Sequence, residues 1–319
     1  MFQSIADWLS YSLLNLSPAT KLGESVNYFF YDIFKIYVLI LLVVGIIAFI
    51  RTFLPPHKIK KVLVRQRFGS GNILAALLGS VTPFCSCSSI PLFIGFLEAE
   101  VPLGIAFSFI ITSPLVNEVI FILIGGTFGW KIAFLYALSG IVLGVIAGII
   151  IGRLKLEKEV LLKFDNGNGE SKQNGKNMPK TFEGKLRFSI NQSARIFKKL
   201  WWIIAIGVGI GAAIHGNVPQ AFFEQYLGAD SILAIPIAVL VGIPIYAGGS
   251  AIVPIAFALT TKGIPLGTAL VFMMSIAGLS LPEAIMLKRI LSLKLLGIFF
   301  GMVAIGILVI GYLFNFFAA

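Results

Sequence analysis

Apolar residues along this chain fall into long unbroken runs, not into the alternation of strands or the one-sided stripes of soluble helices. The runs at 36–50, 131–151, 200–214 and 295–314 approach or reach the roughly 20 residues that an α-helix needs to cross about 30 Å of hydrocarbon. Two further apolar stretches are broken by prolines: 72–97 by Pro83 and Pro91, and 231–261 by Pro244 and Pro254. Polar, proline-bracketed backbone at membrane depth is tolerated only where it is buried in protein or lines a cavity. These four prolines are therefore candidate hinges, and the breaks between them are candidate transport sites. Residues 1–30 are too polar to cross, and a surface helix around Trp8, Leu9, Leu13 and Leu14 is expected there. No cleavable signal pattern precedes the first span, which is expected to act as an uncleaved insertion signal.

Composition changes the picture only by removing alternatives. With 58% hydrophobic and 12% charged residues, the chain cannot clothe itself in a water-compatible surface, so the lipid bilayer is its first partner. The net charge of +11 is confined largely to three connecting segments, 55–71, 153–199 and the turn of Lys288, Arg289 and Lys294. Basic clusters beside spans mark cytoplasmic loops. No basic patch interleaved with aromatics is present, so nucleic acid is not an expected partner; homo-oligomerisation is left open.

The chain repeats itself. A shift of 163 positions lays Gly79 on Gly242, Pro91 on Pro254, and Pro102-Leu103-Gly104 on Pro265-Leu266-Gly267, with Ala106 and Phe109 on Ala269 and Phe272. If 55–71 and 153–199 share the cytoplasmic side, the intervening chain crosses an even number of times, yet it holds three apolar segments, 72–97, 101–124 and 131–152. One cannot span, and the proline-split 72–97 is read as a re-entrant hairpin; the same logic makes 231–261 a hairpin from the other side. The expected fold is an all-α polytopic membrane protein, an inverted repeat whose halves each hold three transmembrane helices and one broken hairpin. Its parts are an N-terminal surface segment 1–30, a first membrane repeat 31–153, a flexible cytoplasmic linker 154–195 and a second repeat 196–317. The N-terminus then lies outside the cell membrane. A rival with eight full spans would place the segment 153–199, with 12 Lys and Arg against five acids, on the wrong side.

Opposed hairpins whose tips meet near the midplane are a known way to build an alternating-access site. The first tip offers Thr82, Cys85, Ser86, Cys87, Ser88 and Ser89, two thiols and four hydroxyls with no charge. The second, Tyr246, Gly248, Gly249 and Ser250, supplies small residues and close backbone amides. Thiolates suit soft metal ions and thiophilic metalloids. Cys85 and Cys87 would thus ligate a metal or metalloid as the transported species, while small-side-chain packing is the plainer role for buried cysteines. Two carboxylates stand inside apolar segments, Glu118 and Glu283, nearly equivalent under the shift and each following a proline. An acid at membrane depth is a functional candidate by default, here for coupling or gating, with Asn117 a hydrogen-bond partner for Glu118. Glu283 has the alternative of pairing with Lys288 or Arg289 at the interface. His57 and His215 have no ligand partner at metal spacing, no phosphate-binding loop is present, and no cofactor is expected.

Through the run Thr82 to Ser89 and the motif Ser113-Pro114-Leu115-Val116-Asn117-Glu118, the sequence resembles the predicted permease family of the YraQ type, which includes bacterial organoarsenical efflux permeases. The resemblance spans about residues 35–316. It implies a multi-pass permease of the inner membrane and, for the arsenical branch, export of trivalent methylated arsenicals with cysteine participation, a role that falls here on Cys85 and Cys87. The expected function is a secondary transporter, not an enzyme, with efflux of a soft, thiophilic solute as the leading reading. Transport of a small sulfur compound is an alternative within the same class. A membrane thiol-disulfide carrier is the alternative from another class; its expected motif is C-x-x-C, whereas this chain has C-x-C.

Overall fold

The computed structural model describes residues 2–18, 20–51, 69–81, 86–98, 100–161, 181–217, 233–245, 249–261 and 263–318. Among these residues the chain is helical, with one isolated β-bridge. Helix α1 (Phe2–Asp7), extended by a π-helical turn Trp8–Leu13, precedes α2 (Lys21–Arg51), α3 (Ser70–Val81), α4 (Ser86–Glu98), α5 (Leu103–Leu115), α6 (Glu118–Thr127) and α7 (Trp130–Arg153). The second half holds α8 (Phe182–Asn217), α9 (Ala234–Gly242), α10 (Gly249–Thr261), α11 (Leu266–Gly278), α12 (Leu281–Leu287) and α13 (Leu293–Ala318). Helix α8 runs on through residue 196, where the sequence places the start of the second repeat.

Helices α4, α5, α6 and α7 begin at 86, 103, 118 and 130, and α10, α11, α12 and α13 begin 163 residues later, at 249, 266, 281 and 293. The turns obey the same offset. Glu100 (φ 54°) and Gly263 (φ 90°) are both left-handed, and each closes its helix with paired backbone bonds. Those bonds run from Glu100 N to Leu97 O and Val101 N to Phe96 O in one half, and from Gly263 N to Thr260 O and Ile264 N to Leu259 O in the other. This is the Schellman end, which satisfies the last carbonyls of a helix and reverses the chain.

Within the first half, α3 runs alongside α5 in the same direction. Asn72 Nδ2 donates to Ser108 Oγ at 2.9 Å, and Gly79 backs onto the Phe109 carbonyl so closely that a Cβ would stand 2.9 Å from it. Helix α4 returns the opposite way, through Ser89 and Ser113 at one end and the rings of Phe93 and Phe107, 5.2 Å apart, further along. The outer ends of α3 and α4 therefore lie together at the start of α5. Against the other side of α5 lies α7, antiparallel, with Gly152 on Gly104, Gly148 on Ser108 and Gly104, Gly144 on Thr112 and Gly140 on Val116. A glycine every fourth residue lets two backbones approach where lipid gives no hydrophobic drive for association. In the second half Gly242 faces the Phe272 carbonyl and Ser275, and Gly267 faces Gly311 and Asn315, whose Oδ1 accepts from Gly267 N at 2.7 Å.

The halves meet where Leu115 at the end of α5 touches Gly278 at the end of α11, where Leu143 of α7 touches Gly306 of α13, and where the Phe107 and Phe299 rings lie 5.5 Å apart. Helices α7 and α13 are antiparallel. The first ends where the second begins, and the two ends are strapped together: Leu161 N donates to Ile290 O at 2.8 Å and Ser292 N to Glu159 O at 2.9 Å. Arg153, Lys155, Lys158, Lys288, Arg289 and Lys294 all lie at this end. The exposed Lys294–Glu159 pair at 3.8 Å adds little stability itself. Helices α2 and α8 form an antiparallel pair in which Tyr37 Oη donates to the Trp201 carbonyl at 2.7 Å. Helix α1 docks on α2 through Gln3, Asp7 and Asn27, with Asn27 Nδ2 donating to Asp7 Oδ1 at 2.8 Å, and leaves Trp8, Leu13 and Leu14 exposed.

Among the described residues Trp130–Arg153, Leu266–Leu287 and Leu293–Phe317 are long and apolar enough to cross a bilayer. Leu103–Leu115 and Glu118–Thr127, bent by 41° at their junction, meet the same test together, as a broken span or a re-entrant loop. The apolar segment 101–124, counted as one span from the sequence, is thus two helices meeting at Val116–Asn117.

Candidate functional site

The α5–α6 break is written into six residues. Pro114 has no N–H to give the preceding turn, and its ring crowds that turn; Val116 then leaves the helix at φ −116°, ψ 83°. Asn117 is extended, and its Oδ1 accepts from Val119 N at 2.7 Å, capping a new helix in which Glu118 occupies the favourable first turn. The side chain of Asn117 is thus engaged by the backbone of α6. The matching break between α11 and α12 lies at Leu279–Ser280: Ser280 is extended, and Pro282 and Glu283 follow in the first turn. Leu281 N donates to the Ile243 carbonyl at 3.1 Å, tying this restart to the end of α9.

Thr82, Pro83, Cys85, Tyr246 and Gly248 lie outside the described residues. The backbone of Ser86, Cys87, Ser88 and Pro91 belongs to α4, and that of Gly249 and Ser250 to the first turn of α10. Pro254 sits inside α10, and Pro244 follows α9. The buried Ser89 side chain is 2.7 Å from Ser113 Oγ, hydroxyl to hydroxyl. The opening turns of α4, with Cys87 in their backbone, are thereby fixed at the C-terminal end of α5, where α5 and α11 meet. Each restarted helix also packs on the other half's broken element, α6 on α10 and α12 on α4. The rings of Phe128 and Phe257, 5.7 Å apart, close the α6–α10 side.

The two carboxylates are not in equivalent places. The element offset aligns Glu118 with Leu281, so Glu283 stands two residues further into its helix, about 200° around it. Glu118 is partly exposed, and its Oε2 is buried with no hydrogen-bond partner among the described residues. Glu283 is fully buried, whereas Lys288 and Arg289 are exposed. Sequence reasoning named Ser113 only within a family motif and missed Thr112, both buried near the end of α5 just before the first break; the pairing of Asn117 with Glu118 after a proline is the local signal that could have located the break itself.

Among the described residues no group of three His, Cys, Asp or Glu side chains could hold a metal ion. A groove of about 330 Å³, lined by Asn72, Gly104, Gly148, Gly152 and Arg153, opens at the basic end. It lies at the start of α5, about three turns from the break, and is separate from the site.

Comparison with known proteins shows the family. The chain is 22% identical to the UPF0718 protein MJ0584 of Methanocaldococcus jannaschii over 314 aligned residues, covering 80% of this chain and 86% of that one. It is 21% identical to the UPF0718 protein YraQ of Escherichia coli, covering 84% and 75%, and 26% identical to the UPF0718 protein YcgR of Bacillus subtilis, covering 61% and 62%. No solved structure matches. The predicted permease family matches residues 21–316, nearly the whole chain; the protein is a membrane-embedded member of that family, a permease.

Proposed function

We propose that the protein is a secondary transporter of the inner membrane that exports a soft, thiophilic solute, a trivalent organoarsenical or metal species being the leading case, through a midplane site at the two hairpin tips. The observation that carries this reading is the Ser89–Ser113 bond, which holds the first turns of α4, and with them Cys87, against the end of α5 where the halves meet. Soft cargo fits paired thiols, and the uncharged hydroxyls around them suit a neutral solute. The inverted-repeat reading draws support from three facts. Helices α7 and α13, equivalent at the 163 offset, run antiparallel; α5 and α11 meet end to end; and the basic residues gather where α7 stops and α13 starts. That end is then cytoplasmic, with the linker inside and the N-terminus outside.

Single cysteines introduced at 165–178 in a Cys-free background are expected to be protected from impermeant thiol reagents in intact cells, and those at 217–223 to react. Labelling of the linker from outside would sink the inverted arrangement. Glu118 is assigned to coupling or gating, because a carboxylate at this depth is retained only for function. Glu118→Gln keeps the shape and is expected to lower export at least about tenfold with expression unchanged; normal export from pH 6 to 8 would remove the role.

A further inference from the structure

The two halves open their central helices, α5 and α11, in the same way and then part company at one residue. In the second half α13 brings Asn315 to the first turn of α11, where its Oδ1 accepts from Gly267 N at 2.7 Å and its Nδ2 donates to Thr268 Oγ1 at 3.3 Å. The Gly267 amide is one of the opening donors that a helix cannot satisfy from within, so the oxygen of a neighbouring helix completes it. The 163-residue offset lays Gly267 on Gly104 and Asn315 on Gly152. Gly104 is likewise second in its helix after the capping Pro102, and its amide calls for the same oxygen. Gly152 has no side chain to bring one: a Cβ there would stand 3.5 Å from Gly104 N.

The surroundings change with it. Ile235 and Phe316 of the second half stand where the first has Asn72 and Arg153. Buried Ile235 packs on Gly311 and, with Asn315, fills its half with side chains. In the first half the same place is the groove of about 330 Å³, with Gly104, Gly152, Asn72 and Arg153 around it and Ile105 and Ile149 as its apolar wall. Arg153 is exposed in the last turn of α7. The groove therefore combines an opening amide and the positive end of α5 with a guanidinium, a set that favours an anion carrying oxygens. It lies where the apolar run of α7 stops, at the edge of the bilayer, and the exposed Ile73 and Leu77 of α3 and Ile146 and Ile150 of α7 lie further along the same two helices. An acyl chain can follow them.

We propose that this groove binds the head group of an anionic phospholipid, a phosphate oxygen taking the place on Gly104 N that Asn315 Oδ1 takes on Gly267 N, with Arg153 against the charge. Basic pockets between membrane helices hold such head groups. The lipid would join α3, α5 and α7 at the basic end, as Asn315 joins α11 and α13 in the other half. The site is independent of the transported solute and of the break between α5 and α6.

The test is the melting temperature of delipidated protein in a neutral detergent, with phosphatidylglycerol, phosphatidylcholine of the same chains, or inorganic phosphate added. Phosphatidylglycerol is expected to raise Tm by about 5 °C at saturation, and the other two by less than about 1 °C. Arg153→Gln should cut the phosphatidylglycerol shift to below about 2 °C, because the charge-assisted contact is lost, whereas Lys158→Gln, exposed beyond the end of α7, should keep it whole. Gly152→Asn copies the second half and supplies the oxygen from within. It should melt higher than wild type without lipid and gain less than about 2 °C from phosphatidylglycerol. A full shift in Arg153→Gln or in Gly152→Asn would overturn the proposal, as would no shift in the wild type. So would an equal response to phosphatidylcholine, which shows a general lipid effect, or to inorganic phosphate, which shows a site for a free anion.

Discussion

Replacement of Gly148 by leucine is expected to abolish the folded protein. Its Cβ would stand 2.6 Å from the Gly104 carbonyl and would overlap the Ser108 hydroxyl, and Gly104 in turn has no room to retreat because its own Cβ position lies 2.5 Å from the Gly148 carbonyl. The obstacle is backbone on both sides, so rotamer changes cannot relieve it, and α5 and α7 must separate. Overpacking a tight contact costs typically 1–3 kcal/mol, and a leucine forced between two backbones exceeds that, more than about 3 kcal/mol. The separation would also break the Asn72–Ser108 contact behind it and loosen the seat of α3. Detergent extraction followed by size-exclusion chromatography reads the outcome: Gly148→Leu should aggregate or vanish, whereas Gly301→Leu, with nothing within 4 Å of its Cβ position, should elute as wild type. Equal behaviour of the two variants would show that the glycine stripe is not what joins α5 to α7.

Loss of either Cys85 or Cys87 is expected to weaken recognition of a trivalent metalloid roughly a hundredfold, and loss of both to add little more. A second thiolate bonds a solute already held by the first, at high effective concentration, so bidentate capture exceeds single attachment by orders of magnitude. Once one thiol is gone that advantage is gone. Serine keeps the size and hydroxyl character of the tip, and the Ser89–Ser113 bond that seats α4 is untouched, so expression should stay near wild type. Export of methylarsenite from everted vesicles by wild type, Cys85→Ser, Cys87→Ser and the double variant decides it. Equal transport by all four would return the cysteines to packing and leave Ser86, Ser88 and Ser89 as the contacts.

Local rules carried the sequence reading a long way. Run length marks crossing segments because hydrocarbon thickness is fixed. Proline pairs were a poorer guide to breaks, since Pro244 follows the end of α9 but α4 and α10 run on through Pro91 and Pro254, whereas the 163-residue offset read from seven identities recurs in helix starts and in the turns at Glu100 and Gly263. The bend at Val116–Asn117 escaped because an unbroken apolar run hid it: length alone counted 101–124 as a span, although Pro114 and the cap Asn117-Glu118 were in view.

What sequence could not give is which side of each helix is inside. A soluble helix advertises its buried face by contrast with polar residues; in lipid both faces are apolar, and the contrast is lost. On α7, Phe134, Leu138 and Ile146 face outward while Gly140, Gly144 and Tyr136 are buried, the reverse of the order that hydropathy gives a soluble helix. The Ser89–Ser113 bond across 24 residues and the contact of Leu115 with Gly278 between the halves both depend on how helices are laid against one another. The sequence by itself determined that this chain lives in the membrane and which of its segments are apolar enough to cross, since those follow from hydration residue by residue. Only the tertiary structure decided where the helices break and which polar groups the breaks bring together, because that is set by contacts between distant segments whose approach the glycines of α7 and α11 permit.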